Sequence, residues 1–589
     1  MKWTLIGGVA LLSCLLTTQA QNNDPNAPTE LVPKLPTKKP APGKLPDQPA
    51  LNELQDVPGE PVIIPNLHGL IIVQTEVEIK KEGAPDVTGL KVTDIPLLSG
   101  ADFQALMAPY FGRPVRFTTI KRMETNIILY CRAKNHPLVD VILPEQDLTK
   151  NAVLQLLFLE GTVEHDLTVT NKGKAWFKKE LLLGQVRLKK GDHVDSKELR
   201  ADLDWLNRNP FRQVDALFKQ GQLSGRSDVV LQVQDRLPLR VYGGYEDTGT
   251  RFTGRDRLLA GFNWGNAFGV DHQLNYQYTT DTEFRFVKAH SVSYLAPLPW
   301  RHTLTLFGSY VDGRADFGSG LTAEGKSYQG SLRYSAPLPA IEKYQHEVSA
   351  GFDFKRANNA LLFGGTTPPG KVDSDINQFE LGYSALIPDK WGQTSAGLEG
   401  YYSPGGLLGN NNDTDFMALR SGTSASYWYT RLNAERITRL PYDFSWIIRA
   451  QGQLADHKLL PSEELGLGGH ATVRGYDERL VNGDNGWIIS NELRTPSLRL
   501  GNLLGTSDGA DFLQFLAFFD YGATRNRFPR SQDIPPEADL ASVGGGLRFT
   551  VSQNLALRLD YGYQLSDRSV SIAAGARTSR AHVSVLLSY

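Results

Sequence analysis

Apolar and polar positions alternate one by one through the last three fifths of the chain, from about residue 238 to the end. Near the C-terminus, Leu555, Leu557, Leu559, Tyr561 and Tyr563 share one face opposite Arg558 and Asp560, and Val583, Val585, Leu587 and Tyr589 share another opposite Ser584, Leu586 and Ser588. Apolar side chains on one face and largely polar side chains on the other, alternating with a period of two residues, are typical of strands in a membrane barrel. A soluble β-sandwich also alternates, but sixteen regularly spaced strands would be excessive for that fold.

Sixteen such strands can be located in this region. We expect them to start near Arg240, Arg257, His272, Lys288, Arg301, Ser327, His346, Asn377, Gln393, Ser426, Phe444, Gly486, Phe512, Leu540, Leu555 and Ala581. Their connections alternate between short ones, such as PLPWR and IPDKWG, and long ones, such as His457 to Asn485. This predicts a 16-stranded antiparallel transmembrane β-barrel over residues 238–589, with tight periplasmic turns and extended outer loops.

Two smaller α+β units precede the barrel, at residues 75–162 and 163–237, each with the order strand, helix, helix, strand, strand. The first begins with LKVTDI, continues with helices over 101–110 and 119–132, and closes with LVDVIL and VLQLLFL. The second begins with VEHDLTV, has helices near 175–183 and 196–207, and closes with VDALF and DVVLQVQ. Asp195 followed by Glu198 is a helix-start signature. A unit of about 75 residues used twice indicates a modular array.

The N-terminal part of the chain predicts export and then a spacer. Residues 1–20 resemble a signal peptide, because Lys2 precedes an apolar leucine-rich run that ends in small residues. Residues 21–74 form a Pro-rich linker, with 11 prolines between residues 25 and 65, in which only residues 50–57 could be a short helix. Cys14 lies in the leader and Cys131 is then alone, so neither a disulfide framework nor a cysteine-rich zinc site is expected.

Composition and motifs argue against an enzyme and against a nucleic-acid binder. The 62 Lys and Arg against 64 Asp and Glu leave no basic excess for nucleic acid. The stretch from Gly320 to Ser327 matches the phosphate-loop pattern, and Gly466 to Ala471 matches a dinucleotide fingerprint. Both lack the strand and helix that such motifs require, so we interpret the first as a Gly-rich outer loop and expect no nucleotide. Neither HExxH nor GxSxG occurs, and we expect no catalytic residue, no metal and no cofactor.

One constellation in the longest late loop is more specific. It runs from Leu467 to Tyr476, contains Val473-Arg474-Gly475-Tyr476, and is followed by the alternating strand IISNELR. LPEQ at 143–146, NRNPFR at 207–212, DRLP at 235–238 and FFDYG at 518–522 accompany it. In this order the set resembles the TpsB-type outer-membrane translocators of two-partner secretion, the haemolysin secretion/activation protein family, over roughly Val87 to Tyr589.

The resemblance implies that the two repeats are periplasmic POTRA domains, which capture an unfolded secreted partner, and that the barrel exports it. It also implies that the VRGY loop, about 457–486, folds back into the lumen. Parity puts Asp520 on the inward face, where Arg474 could pair with it. Gly475 would allow a sharp turn, and Tyr476 would wedge against the wall. Phe518 and Gly522 are expected, with Asp520, to be the barrel-wall partners of the loop motif.

The expected function is therefore an outer-membrane translocation pore, surrounded by lipid, for a large exoprotein of the adhesin or haemolysin type. Two alternatives stay open at this point: an assembly or insertase factor of the same superfamily, and a passive diffusion porin. A larger POTRA array would favour the insertase. A porin function would account for the barrel, but it would account neither for the two repeats nor for the VRGY motif.

Two departures from the family pattern are visible. Where relatives show a Gly-aromatic pair after the second helix of the first repeat, this chain has Asn135-His136-Pro137. We expect the fold of that unit to be retained. A plug helix ahead of the linker is also hard to find, because only ALNELQDV could form it.

Overall fold

The computed structural model of the protein describes twelve segments of the chain. They are residues 33–35, 59–148, 151–222, 226–250, 252–316, 322–341, 343–357, 373–500, 512–529, 536–552, 554–566 and 578–589. The expected signal peptide, the helix expected at 50–57 and most of the linker lie outside them. The described residues divide into two compact units, one ending at Arg236 and the other running from Leu237 to Tyr589 and including 33–35.

The N-terminal unit contains two layered α+β modules. The first has strands β1 Gly69–Val73, β2 Gly89–Val92, β3 Val139–Ile142 and β4 Val153–Glu160, with helices α1 Ala101–Met107 and α2 Phe117–Ala133. Its sheet order is β2-β1-β4-β3, and β1 pairs in parallel with both neighbours. Both helices contribute apolar side chains, among them Phe103 and Ile127, to a core with Leu70 and Leu156.

Strand β1 shows that the expected boundary between linker and first repeat, at residues 74 and 75, is wrong. All five residues of GLIIV in β1 are buried. A strand covered on both faces shows a continuous apolar run instead of alternation. A search for alternation therefore misses such a strand, and here it follows directly after a Pro-rich stretch.

The second module has strands β5 Thr162–Val163, β6 Thr168–Asn171, β7 Arg212–Gln220 and β8 Arg226–Asp235, with helices α3 Lys179–Leu183 and α4 Ser196–Leu206. β8 pairs in parallel with β5 and β6 and antiparallel with β7. Helix α4 begins as expected, because the Asp195 carboxylate accepts hydrogen bonds from the backbone N–H groups of Lys197 and Glu198.

The second unit is a closed barrel of sixteen long antiparallel strands in the part of the chain that is described. Strand order follows chain order, and β27 closes the barrel by pairing with β9. The strands are β9 Leu239–Glu246, β10 Arg257–Ala267, β11 His272–Thr280, β12 Val287–Pro297, β13 Thr303–Asp316, β14 Thr322–Pro337, β15 Gln345–Ala357, β16 Ser374–Pro388, β17 Gly392–Pro404, β18 Ser426–Arg439, β19 Ser445–Ala455, β22 Asn485–Arg494, β24 Phe512–Arg525, β25 Glu537–Val551, β26 Leu555–Gln564 and β27 Ser579–Ser588.

Three short strands complete the barrel unit. β20 Leu465–Leu467 and β21 Val481–Gly483 form a hairpin inside the long loop, and β23 Leu498–Arg499 pairs with the start of β24. A short helix, α5 Asp413–Leu419, lies in the connection between β17 and β18. Nothing in the sequence analysis predicted the hairpin or this helix.

The sixteen-strand barrel is confirmed, and its strands start within five residues of the predicted positions. The outward faces carry exposed apolar side chains such as Leu381, Trp428 and Leu432, whereas inward positions such as Asp520 and Asp560 are buried and polar. No helix among the described residues is long and apolar enough to cross a membrane.

The phosphate-loop pattern is not an outer loop as expected. Residues 322–327 form the first part of strand β14 and pair with β13 from Asp316 to Val311. Gly320 and Leu321 lie outside the described residues. The small residues in this stretch suggested a loop, but sheet pairing overrides local propensity.

Candidate functional site in the barrel lumen

The loop between β19 and β22 carries the predicted tetrapeptide into the barrel interior. Val473, Arg474 and Tyr476 are all buried, Arg474 with an exposed fraction of only 2%. Leu465, Leu467 and Val481 from the loop hairpin pack with Val473 and with Ile488 of the wall in one apolar cluster. The hairpin therefore gives the loop a core of its own against the barrel wall.

Arg474 lies at the centre of the site. Its Nε is 2.7 Å from Asp520 Oδ2 and its Nη2 is 2.8 Å from Asp520 Oδ1, which is a two-point guanidinium–carboxylate pair. Its Nη1 is 2.7 Å from Glu492 Oε1, and its guanidinium lies 3.6 Å from the centre of the Phe518 ring. A charge this deeply buried is tolerated only because it is paired and hydrogen-bonded.

Gly475 makes the close approach that the turn requires. Its φ is +91°, and an added Cβ would lie 2.8 Å from the carbonyl oxygen of Gly562 on β26. Its N–H donates to His582 Nε2 at 3.1 Å, and its carbonyl accepts from Gln564 Nε2 at 2.6 Å. Only glycine combines this backbone conformation with this contact.

Tyr476, Val473 and Gly522 fix the tip against the wall. The Tyr476 hydroxyl lies 2.8 Å from the carbonyl oxygen of Ala541 and 2.6 Å from that of Ser566. A Cβ on Gly522 would meet Leu467 at 2.9 Å and Val473 at 3.3 Å. The structure thus brings together all seven residues singled out from the sequence: Val473, Arg474, Gly475, Tyr476, Phe518, Asp520 and Gly522.

Three further residues of the site went unrecognised in the sequence. Ser490 and Glu492 lie on β22 and both contact Arg474, and His582 on β27 contacts Gly475. Ser490 and Glu492 are two apart in the alternating stretch IISNELR, so parity alone places both on the face opposite Ile489. The contact of His582 with the loop carries no signal in the sequence.

A wider ion-pair network surrounds the tip. Glu492 also contacts Arg449 and Arg494, and Asp560 contacts Arg548 and Arg558. These arginines line a cavity of about 330 Å³ together with Arg474, His470 and Thr472. The lumen at this level is therefore lined largely by charged and polar side chains.

The described N-terminal residues also lie inside the barrel unit. Lys34 Nζ is 3.1 Å from Glu246 Oε1, and the Lys34 backbone N–H donates to the Tyr242 hydroxyl at 3.0 Å. Arg240 Nη1 donates to the Lys34 carbonyl at 3.1 Å. The Lys34 N–H also lies 3.2 Å from Gln277 Oε1 on β11. Part of the Pro-rich segment therefore contacts the inner side of the wall at β9 and β11.

Among the residues that the structure covers, one group has the donor types of a metal site. Glu164, His165 and Asp228 in the second module have ligand atoms within 4.8 Å of one another. His165 Nδ1 and Asp228 Oδ1 are already 2.9 Å apart, and the Glu164 carboxylate accepts from the Gln222 N–H. Because these groups satisfy one another, no ion is needed to explain the arrangement.

The departure at Asn135 has a structural reason. Asn135 follows helix α2 with φ of +72°, the left-handed conformation in which helices commonly end and which glycine favours. Asparagine is the next most tolerant residue there. The neighbouring His136 ring lies 2.6 Å from Glu160 Oε1, so the site is occupied by a polar pair in place of an aromatic side chain.

A closed sixteen-stranded barrel with a polar interior and an inward-folded loop defines the class of outer-membrane β-barrel transporters. The family model of the haemolysin secretion/activation proteins ShlB/FhaC/HecB matches residues 225–549, and the chain belongs to this family. The protein is accordingly an outer-membrane translocation pore of the two-partner secretion type.

Individual relatives agree with this assignment. The chain is 23% identical over 468 residues to the heme/hemopexin transporter protein HuxB of Haemophilus influenzae strain 86-028NP, covering 77% of this chain and 79% of HuxB. It is 24% identical to the outer membrane transporter CdiB of Dickeya dadantii, covering 80% and 81%. The solved structure of CdiB from Escherichia coli superposes with a TM-score of 0.67 at 16% identity, covering 92% of this chain and 93% of CdiB, and shows the same fold.

Proposed function

We propose that the protein exports a large secreted exoprotein of the adhesin or haemolysin type, and that both N-terminal modules act as POTRA domains that capture it unfolded in the periplasm. The observation that carries the proposal is the buried two-point pair between Arg474 and Asp520 inside a closed, polar barrel. A static porin has no need of a loop anchored by buried charges. A pore that must open for a polypeptide needs an element that closes it at other times.

The modules offer strand edges for capture. In the first sheet β2 and β3 lie at the two ends of the order β2-β1-β4-β3, and in the second sheet β7 pairs only with β8 among the described strands. An extended client that adds a strand to such an edge gains main-chain hydrogen bonds with little demand on its sequence. The half-exposed side chains of β3, Val139 and Ile142, supply apolar contact beside the edge.

The tip of the loop then acts as a latch. Displacing the tip breaks the contacts of Arg474 with Asp520 and Glu492. These carboxylates then remain paired only if other arginines take the place of Arg474. Arg449 and Arg494 already contact Glu492, so its charge stays compensated when the tip leaves. Folding of the exported chain outside the cell, which stops backward sliding, is the proposed driving force.

Deleting the gene and analysing the growth medium tests the function. We expect one large protein to disappear from the medium and to return with the wild-type gene. Unchanged secretion, with a changed set of outer-membrane proteins, would instead support the insertase. Loss of small-solute uptake alone would support the porin.

The latch is tested with Arg474→Ala and Asp520→Ala, with Arg285→Ala in an exposed loop as the matched arginine control. Removing one partner of a buried pair costs about 3–5 kcal/mol, so the closed state should lose most of its advantage. Both variants should change single-channel conductance and secretion, whereas the control should not. Wild-type conductance and secretion in both variants would contradict the latch.

A further inference from the structure

A second set of contacts holds the long loop at its two ends, at residues 458–464 and at Asp484, on either side of Arg474 along the chain. The connection between β17 and β18, residues 405–425, which we call the cap, carries helix α5. Its Phe416 and Leu419 pack in one apolar cluster with Leu459 and Leu460 of the long loop and with Tyr429 of the wall. Because long connections lie at the outer end of the barrel, this cluster fills the lumen there.

The first charged contact of this set joins the loop to the barrel wall. Glu463 is completely buried, and its carboxylate oxygens lie 3.1 and 3.2 Å from Lys355 Nζ on β15. The Tyr429 hydroxyl on β18 donates to the same carboxylate at 2.7 Å. The Gln378 side chain on β16 donates to it at 3.3 Å. Strands β15, β16 and β18 thus hold the base of the loop.

The second contact joins the loop to the cap. The next residue, Glu464, lies 2.8 Å from Arg420 of the cap, which also donates to the Leu459 carbonyl at 2.6 Å. Arg420 pairs with Asp484 at the other end of the loop as well. Lys458 Nζ donates to the Ser421 carbonyl at 3.1 Å, and Thr423 forms a parallel bridge with Lys458.

These contacts use different strands from those at the tip. Arg474 and Gly475 contact β22, β24, β26 and β27, whereas Glu463 contacts β15, β16 and β18. None of the contacts of the Glu463 and Glu464 carboxylates involves Arg474, so releasing Arg474 does not break them directly. Breaking a buried ion pair is costly, because it leaves a buried charge without a partner. Glu463 and Glu464 pair with different cations, so separating the loop from both the wall and the cap breaks two such pairs.

We propose that Glu463 and Glu464 form a second latch, which keeps the outer end of the lumen closed independently of Arg474. Opening requires the cap to separate from the loop base. The inference rests on the proposed export function, but conductance in a planar bilayer contains no client and tests the second latch alone. If the export function failed and the conductance results held, the second latch would stand.

The first experiment removes the two charges while keeping side-chain shape, in Glu463→Gln/Glu464→Gln, with Glu283→Gln in an exposed loop as control. We expect the open-state occupancy to rise about tenfold, which corresponds to about 1.4 kcal/mol. Combined with Arg474→Ala, the effects on the free energy of opening should add, because independent sites do so. No rise, or no further rise in the combined variant, would overturn the proposal of a separate latch.

The second experiment locks the cap to the loop in a Cys131→Ser background. Thr423→Cys/Lys458→Cys joins the two bridge partners, and Asp312→Cys/Lys326→Cys joins paired residues on β13 and β14 as a control. The oxidised cap pair should abolish channel opening and secretion, and a reductant should restore both. The oxidised control pair should leave both unchanged. Normal opening and secretion with the cap pair fully oxidised would show that opening does not require the cap to separate from the loop, and would overturn the proposal.

Discussion

The interior of the barrel contains paired charges beside its apolar clusters, whereas the core of the first N-terminal module is made of apolar side chains. In the first module Leu70, Phe103 and Ile127 are buried against one another. In the barrel Arg474, Asp520 and Glu492 are just as inaccessible, whereas apolar side chains such as Phe519 and Ile489 of the same strands are exposed on the outer face. An alternating strand therefore does not by itself say which face is inside, because the surrounding solvent decides it.

The largest expected loss of stability comes from a substitution in the apolar core of the first module, and this substitution should leave the barrel unaffected. Phe103→Ala removes a fully buried ring and should lower the free energy of unfolding of that unit by about 3–5 kcal/mol. Urea titration of the full-length protein in detergent, followed by the reaction of the buried Cys131 thiol with maleimide, measures it, because the first module contains Cys131 but no tryptophan. Heat-modifiable migration of the barrel on gels should not change. Leu129→Ala on the exposed side of α2 should stay within about 0.5 kcal/mol of wild type, and an equal loss would contradict the assigned core.

A somewhat smaller effect should distinguish the two faces of one barrel strand. Leu398 and Gly397 are neighbours at the middle of β17, and Leu398 points outward with half of its side chain exposed. Leu398→Arg should destabilise the barrel by about 2–4 kcal/mol, because it puts a charge into lipid at midplane depth. Gly397→Arg should be tolerated, since a Cβ there meets only Glu399 Oε1, at 3.6 Å. Folding titrations into lipid vesicles measure both. A reversed order would show that the faces are wrongly assigned.

The number and order of the barrel strands could be predicted from the sequence because each strand repeats the same alternation. The positions of Asp520, Phe518 and Gly522 followed from parity along β24. By contrast, the all-apolar strand β1 and helix α5 could not be recognised by that criterion. The contacts of Glu463 and His582 join residues more than a hundred positions from their partners, and no local pattern encodes such pairing.

The smallest expected effect concerns Cys131 in the core of the first module. Burial, with a further contribution from the charge of Glu160, raises the pKa of the Cys131 thiol to about 12. The folded protein should therefore react slowly with maleimide at both pH 7 and pH 9, because the thiolate is the reactive form. The urea-unfolded chain should react faster at pH 9 than at pH 7. Rapid labelling of the folded protein would contradict the burial of this residue.

The central claim is that a secreted polypeptide passes through the lumen of this barrel. In the most direct measurement, a domain closed by a disulfide is fused to the secreted client, so that the client stalls in the barrel during export. The transporter carries Cys131→Ser, and cross-linking then shows which barrel position lies next to the stalled client. With a client cysteine near the stall point, Gly397→Cys on the lumen face should form a mixed disulfide and Leu398→Cys on the lipid face should not. Equal cross-linking at both positions, or cross-linking only at residue 398, would contradict the account.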